Sequence, residues 1–124
     1  MPWTVGFLED DRVVSVTTSG IMNLVLIKQV ATEAHAIATE HGTGKYLADD
    51  RQMVPDLSTL EIYELPAELE RLGLKKSDKV AVVYAEDSPK ADDFKFFNDV
   101  AQNQLFTIQI FTRVEEAAEW LTSK

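Results

Sequence analysis

The stretch Lys79-Val-Ala-Val-Val-Tyr-Ala85 decides the fold. From Val80 to Val83 it is uninterruptedly apolar and mostly β-branched. A half-buried strand alternates apolar and polar residues, whereas a strand covered on both faces does not. Residues 79–85 therefore predict a central strand, and its neighbours in sequence should be helices.

The flanks agree. Upstream, Ser58-Thr-Leu-Glu61 matches a capping box, so a helix starts there. Pro66 is a poor interior residue for a helix, which predicts two short pieces, Thr59 to Glu64 and Pro66 to Leu72, closed by Gly73. Downstream, Ser88 suits an N-cap and Pro89 a first helical position. A helix from there to about Asn103 would bury Phe94, Phe97, Val100 and Ala101.

Further out, Phe106 to Phe111 alternates, with Phe106, Ile108 and Ile110 on one face. Thr112-Arg-Val-Glu115 matches a second capping box and opens a last helix that ends near Leu121. Toward the N-terminus, Lys45 to Ala48 is a short strand ending in Asp49-Asp50-Arg51-Gln52. Before it, Ile21 to His41 carries Leu24, Ile27, Ala31, Ala34 and Ala38 at helical spacing, and Gly42-Thr43-Gly44 ends that helix. Trp3 to Leu8 and Arg12 to Thr18 form an antiparallel hairpin around Glu9-Asp10-Asp11, and Ser19-Gly20 stops the second strand.

The order is β-β-α-β-α-β-α-β-α. Right-handed crossovers make every strand after the first hairpin strand parallel to its successor. The expected fold is α/β: a mixed, mostly parallel sheet of about five strands, with helices packed on it, in one domain spanning residues 1–124.

Composition removes several functions. The chain has no cysteine, which excludes a disulfide framework, thiolate metal sites and thiol catalysis. The formal net charge of −9 repels phosphate backbones and anionic membranes, so neither nucleic acid nor a membrane surface is an expected partner. No apolar run reaches membrane-spanning length, and Met1-Pro-Trp-Thr-Val lacks the marks of a secretory signal. A cytoplasmic location is expected.

In an open α/β sheet, ligands bind beyond the carboxyl ends of the strands. Ser19-Gly20, Asp49-Asp50-Arg51-Gln52, Glu86-Asp87-Ser88 and Thr112-Arg113 should converge there. The candidate ligand- or partner-binding residues are thus Asp49, Asp50, Arg51, Glu86, Asp87 and Arg113. The four acids have the oxygen chemistry of a magnesium site. A phospho-receiver, however, needs a strand-end lysine and an Asp-x-Asp-x-Thr motif, and neither is present. The favoured reading makes Asp87 and Ser88 turn formers and pairs Asp50 with Arg51 or Arg113. The two arginines also suit an anionic ligand. His35 and His41, at ~100° per residue, point to different sides of their helix, and His41 sits where the helix dipole favours positive charge. There is no nucleophile elbow, phosphate-binding glycine loop or dinucleotide fingerprint. No catalytic residue, metal or cofactor is assigned. Met22, Met53 and Tyr63 are candidates to line a pocket between helix and sheet.

The element order, the acidic strand end at Asp49-Asp50 and the helix start at Ser58 together resemble a STAS domain. More narrowly, the chain is similar to the family described as stage II sporulation protein AA-like, tied in some classifications to the lipid-binding CRAL-TRIO domain. Anti-sigma-factor antagonists carry Asp-Ser-Ser-Gly at that helix start, and a partner kinase phosphorylates its serine. Here the stretch is Asp56-Leu57-Ser58-Thr59, in which Asp56 and Ser58 match. The resemblance implies a phosphosite at Ser58, where a phosphoryl group would meet a helix N-terminus; the residues alone make Ser58 a cap paired with Glu61. It also implies a non-enzymatic regulatory or protein-interaction module, with a protein partner or a second copy bound. The alternative is a small-molecule or lipid-binding domain. A magnesium-dependent enzyme ranks below both.

Overall fold

The structure is a computed structural model and describes residues 2–123; Met1 and Lys124, at the limits of the expected domain, lie outside the described residues. The elements are β1 (Trp3–Leu8), β2 (Val13–Met22), α1 (Leu24–His41), β3 (Lys45–Pro55), α2 (Thr59–Arg71), β4 (Lys79–Val83), α3 (Ala91–Asn103), β5 (Thr107–Phe111) and α4 (Val114–Thr122). The strands lie in the sheet in chain order, β1-β2-β3-β4-β5. β1 is antiparallel to β2, and every later pair is parallel. The expected α/β order and mixed sheet are therefore present.

Because each crossover steps the same way along the sheet, the connecting helices share a face. α1 covers β1 and β2, α3 covers β5, and α4 lies on the other face against β3 and β4. α2 differs: it rests on α1 and α3 rather than on the strands. β4, the strand expected to be central, lies one in from the edge of the sheet and is covered on both faces as its composition requires. Ala81 and Val83 pack with Ala117 and Leu121 of α4, while Val82 joins the core under α1 and α3.

Several boundaries depart from expectation. β2 does not stop at Ser19-Gly20, and β3 does not end at Ala48. The two strands extend together, pairing Ser19 with Gln52, Gly20 with Met53, Ile21 with Val54 and Met22 with Pro55. Gly20 continues the strand at φ 79°, a conformation that glycine adopts freely. Consequently α1 begins at Leu24, and the Asn23 side chain accepts a hydrogen bond from Leu26 N.

α2 is one helix, not two, with Pro66 inside it. Proline has no N–H to donate to the carbonyl four residues back, which usually breaks a helix. Here Pro66 is buried beside Ile62 and Leu65 on the helix face that packs inward, and this burial offsets the lost bond. α3 starts at Ala91, because Ser88 forms a tight turn: its Oγ accepts from Lys90 N and its carbonyl from Ala91 N. α4 lacks the expected capping box; Arg113 occupies the N-cap position and makes no capping bond.

Candidate functional site

The alternation of side chains along β3 separates the residues expected to form one site. Tyr46, Ala48 and Asp50 point toward α1, whereas Leu47 points toward α4. Asp49 is on the side of Leu47 and does not line the cavity that Asp50 faces. Its two carboxylate oxygens accept from Arg51 Nε and Nη2, both at 2.8 Å. These bonds hold Asp49 below the usual carboxylate range, against an opposing effect of partial burial. Arg51 is raised in turn, first by the Asp49 hydrogen bond and charge and last by the Glu115 charge. Arg113 Nε lies 4.0 Å from Glu115 Oε2. Asp49, Arg51 and Arg113 thus belong to an exposed ion-pair group beside α4. The expected pairing of Asp50 with Arg51 or Arg113 does not form, because Asp49 takes Arg51. Glu86 and Asp87 lie in an exposed turn after β4, away from Asp50's cavity.

Asp50 faces the core under α1, only 9% exposed. Its Oδ1 accepts a hydrogen bond from Thr18 Oγ1 at 2.6 Å. Among the described residues, no ion pair reaches it. Burial pushes its carboxyl up to about 6; the Thr18 bond works in the opposite direction, and the Asp49 charge adds to the rise.

A β-bulge permits this placement. Thr17 pairs with Asp49 and Ser19 with Gln52, so β3 carries one residue more than β2 across this step. The bulge lies just past the end of β4, whose Val83 pairs with Asp49. Bulges re-aim side chains: here Asp50 points inward before the bulge, and Met53 points inward after it.

Asp50 and Thr18 line a cavity of about 150 Å³ between the sheet and α1, between Ala48 and Met53 along β3. Its floor is Val16, Ala48, Val80 and Val82, and α1 contributes Ile27, Ala31 and Ala34. Leu69, Leu72 and Leu74 approach from α2 and its C-terminal loop. The space has two causes. α2 stands off the strands, and the facing positions Ala31, Ala34 and Ala48 carry only a methyl group. Met22 and Met53 line the cavity as expected. Tyr63 does not; it is 54% exposed on the outer side of α2.

Tyr46 and His35 line the cavity too, and with Thr39, Gly44, Lys75 and Asp78 they also line an open cleft of about 390 Å³. Tyr46 is pushed up to about 12, chiefly by burial and then by the Asp78 charge, so it remains a neutral phenol. His35 Nδ1 is buried without a hydrogen-bond partner among the described residues. The ring lies against Gly73, whose φ is 119°; a Cβ there would fall 2.3 Å from Nε2. His41 points elsewhere and stacks on Phe7 at 3.8 Å. Among the described residues, no three His, Asp or Glu side chains are grouped to hold a metal ion. None of the described helices is long and apolar enough to cross a membrane.

Ser58 is the N-cap of α2 in a complete capping box. Its Oγ accepts from Glu61 N at 3.1 Å, and Glu61 Oε1 accepts from Ser58 N at 2.9 Å.

Comparison with family models, curated proteins and solved structures finds no match for this chain.

Proposed function

We propose that this chain is a non-enzymatic binding module for a small, mainly apolar molecule held between α1 and the sheet. The observation that carries the reading is the cavity: lined mainly by carbon, with a buried carboxylate in its wall. Its volume is near that of an engineered apolar cavity, about 150 Å³, that takes up benzene. That scale suits roughly six to ten non-hydrogen atoms. A methyl-detected NMR titration with toluene tests the reading. The methyls of Ala31, Ala34 and Ala48 should shift, and Ala34→Leu, which extends a side chain into the space, should abolish the shifts while the fold persists. Toluene that leaves these methyls unmoved overturns the proposal.

A second reading, a STAS-like regulatory module that binds a protein or a second copy of itself, is supported by a different observation. Ile21, Val25, Leu60 and Tyr63 are all more than half exposed. They lie at the end of the molecule where β2 and β3 finish and α1 and α2 begin. Under this reading, Ser58 in the first turn of α2 is the residue a kinase would modify. Sedimentation of the wild type beside Ile21→Glu tests self-association: a concentration-dependent dimer lost in the variant supports it, and a monomer throughout counts against it. Intact-mass analysis of protein from its own cells tests the phosphosite.

A further inference from the structure

We propose that the molecule taken up by the cavity carries a protonated amine, and that Asp50 is the group that binds it. The inference rests on the small-molecule reading above and names the ligand's chemical class. It starts from the surroundings of Asp50. The residue is 9% exposed and fixed by a strand, and its Oδ1 is occupied by the Thr18 hydroxyl at 2.6 Å. No Lys, Arg or His side chain among the described residues forms an ion pair with it. The nearby guanidinium of Arg51 is committed to Asp49 through two bonds of 2.8 Å.

A buried carboxylate is costly unless it is paired. A neutral apolar guest would worsen that cost by removing remaining solvent from around Asp50. An acidic guest, such as a fatty acid or benzoate, would add a second negative charge beside the first. A guest bearing an ammonium group instead supplies the missing counter-charge and a donor for Oδ2, in a charge-assisted hydrogen bond. The charge of the whole molecule, −9, favours the approach of cations and disfavours anions. Apart from Thr18, His35 and Tyr46, the rest of the wall, from Val16 and Ala48 to Ala31 and Ala34, offers carbon to the body of the guest. A single ring or short branched chain ending in an aminomethyl group matches both halves.

The test is an isosteric series titrated into the full chain near pH 7: toluene, benzyl alcohol, benzylamine and benzoate, read by methyl NMR and calorimetry. Benzylamine should bind at least tenfold tighter than benzyl alcohol, and benzoate should not bind. Asp50→Asn should erase the amine preference, and toluene should bind the variant at least as tightly as the wild type, because the carboxylate it would desolvate is gone. Benzyl alcohol binding as well as benzylamine, or an amine preference that survives Asp50→Asn, overturns the amine assignment while the cavity reading stands. If none of the four compounds shifts a cavity methyl, both fail together. Should Asp50→Asn not fold, the amine-to-alcohol ratio in the wild type decides alone, with Ala34→Leu as the blocked control.

Discussion

Asp50 carries an acid's charge at a place suited to an apolar side chain, and its protonation is coupled to folding. Burial lifts its folded value to about 6, from an ordinary 3.8. Between roughly pH 4 and 6 the folded chain therefore holds a proton that the unfolded chain releases, so this residue's contribution to stability falls as pH rises through that window. Two units correspond to about 3 kcal/mol, fully lost above the folded value. The charged neighbours in sequence are Asp49 and, in the bulge, Arg51; His35 from α1 and Tyr46 on β3 are the other titratable groups that line the cavity. Urea unfolding across this pH range should show Asp50→Asn more stable than wild type by about 1–3 kcal/mol at neutral pH, with a flatter profile below pH 6. An unchanged profile would show that Asp50 is solvated. Thr18→Val leaves a buried oxygen without its donor and should cost about 1–3 kcal/mol. Asp49 acts with the opposite sign: its lowered value favours folding above its unfolded pKa, and that support fades in acid. The inward aim of Asp50 was legible in principle, since Tyr46, Ala48 and Asp50 share a strand face. It was missed because the polar run after Ala48 reads as a loop, and a loop residue has no assigned face.

Among the elements, local chemistry was the readable part. The Ser58–Glu61 capping box and the glycine stop at Gly42 depend on neighbours in sequence, and both form as expected. Ser58→Ala should cost about 1 kcal/mol, checked by chemical denaturation, because it removes the bond to Glu61 N. Boundaries that depend on a distant partner were not readable. β2 and β3 each extend because the other does, and neither polar stretch announces it alone. Pro66 follows the same logic, since its tolerance comes from tertiary burial and not from the helix. Thr112 and Glu115 have the spacing of a box, but the chain leaves β5 with Arg113 at the cap position. Gly73→Ala is the sharpest test of an element junction. The left-handed φ of 119° and the His35 ring both oppose a side chain. A loss of more than about 1 kcal/mol is expected, with shifts in the His35 ring resonances.

For the molecule as a whole, the order of elements was enough to set the parallel sheet, and the apolar run of β4 its coverage on both faces, though β3 and not β4 is the middle strand. The cavity was not legible, because it is the volume left over when α2 settles on its neighbouring helices and three alanines face one another across the gap. The strand ends do lie side by side at one sheet edge, Asp49 beside Val83 and Val83 beside Phe111, but the expected residues do not share one site, for a related reason. The sheet is a partition, and β3 sends Asp50 to one side and Asp49 with Arg51 to the other. Leu121, fully buried beneath the opposite face with Ala81 and Val83, measures what that side contributes. Leu121→Ala should cost about 2–5 kcal/mol by thermal or urea unfolding, while toluene should still reach the cavity across the sheet. The bulge in β3 carries a further consequence, one of parity. Even-numbered residues face the cavity as far as Asp50, and odd-numbered ones after it, so the extra residue changes which half of the strand is inside. Deleting Arg51, an exposed arginine, would restore plain counting: Asp50, Gln52 and Met53 would stand opposite Thr18, Ser19 and Gly20 and alternate in, out and in, so the end of β3 would keep both its pairing with β2 and its inward face. A one-codon deletion at the bulge would thus be absorbed there, whereas the same deletion between Lys45 and Ala48 would turn the start of β3 to the wrong face.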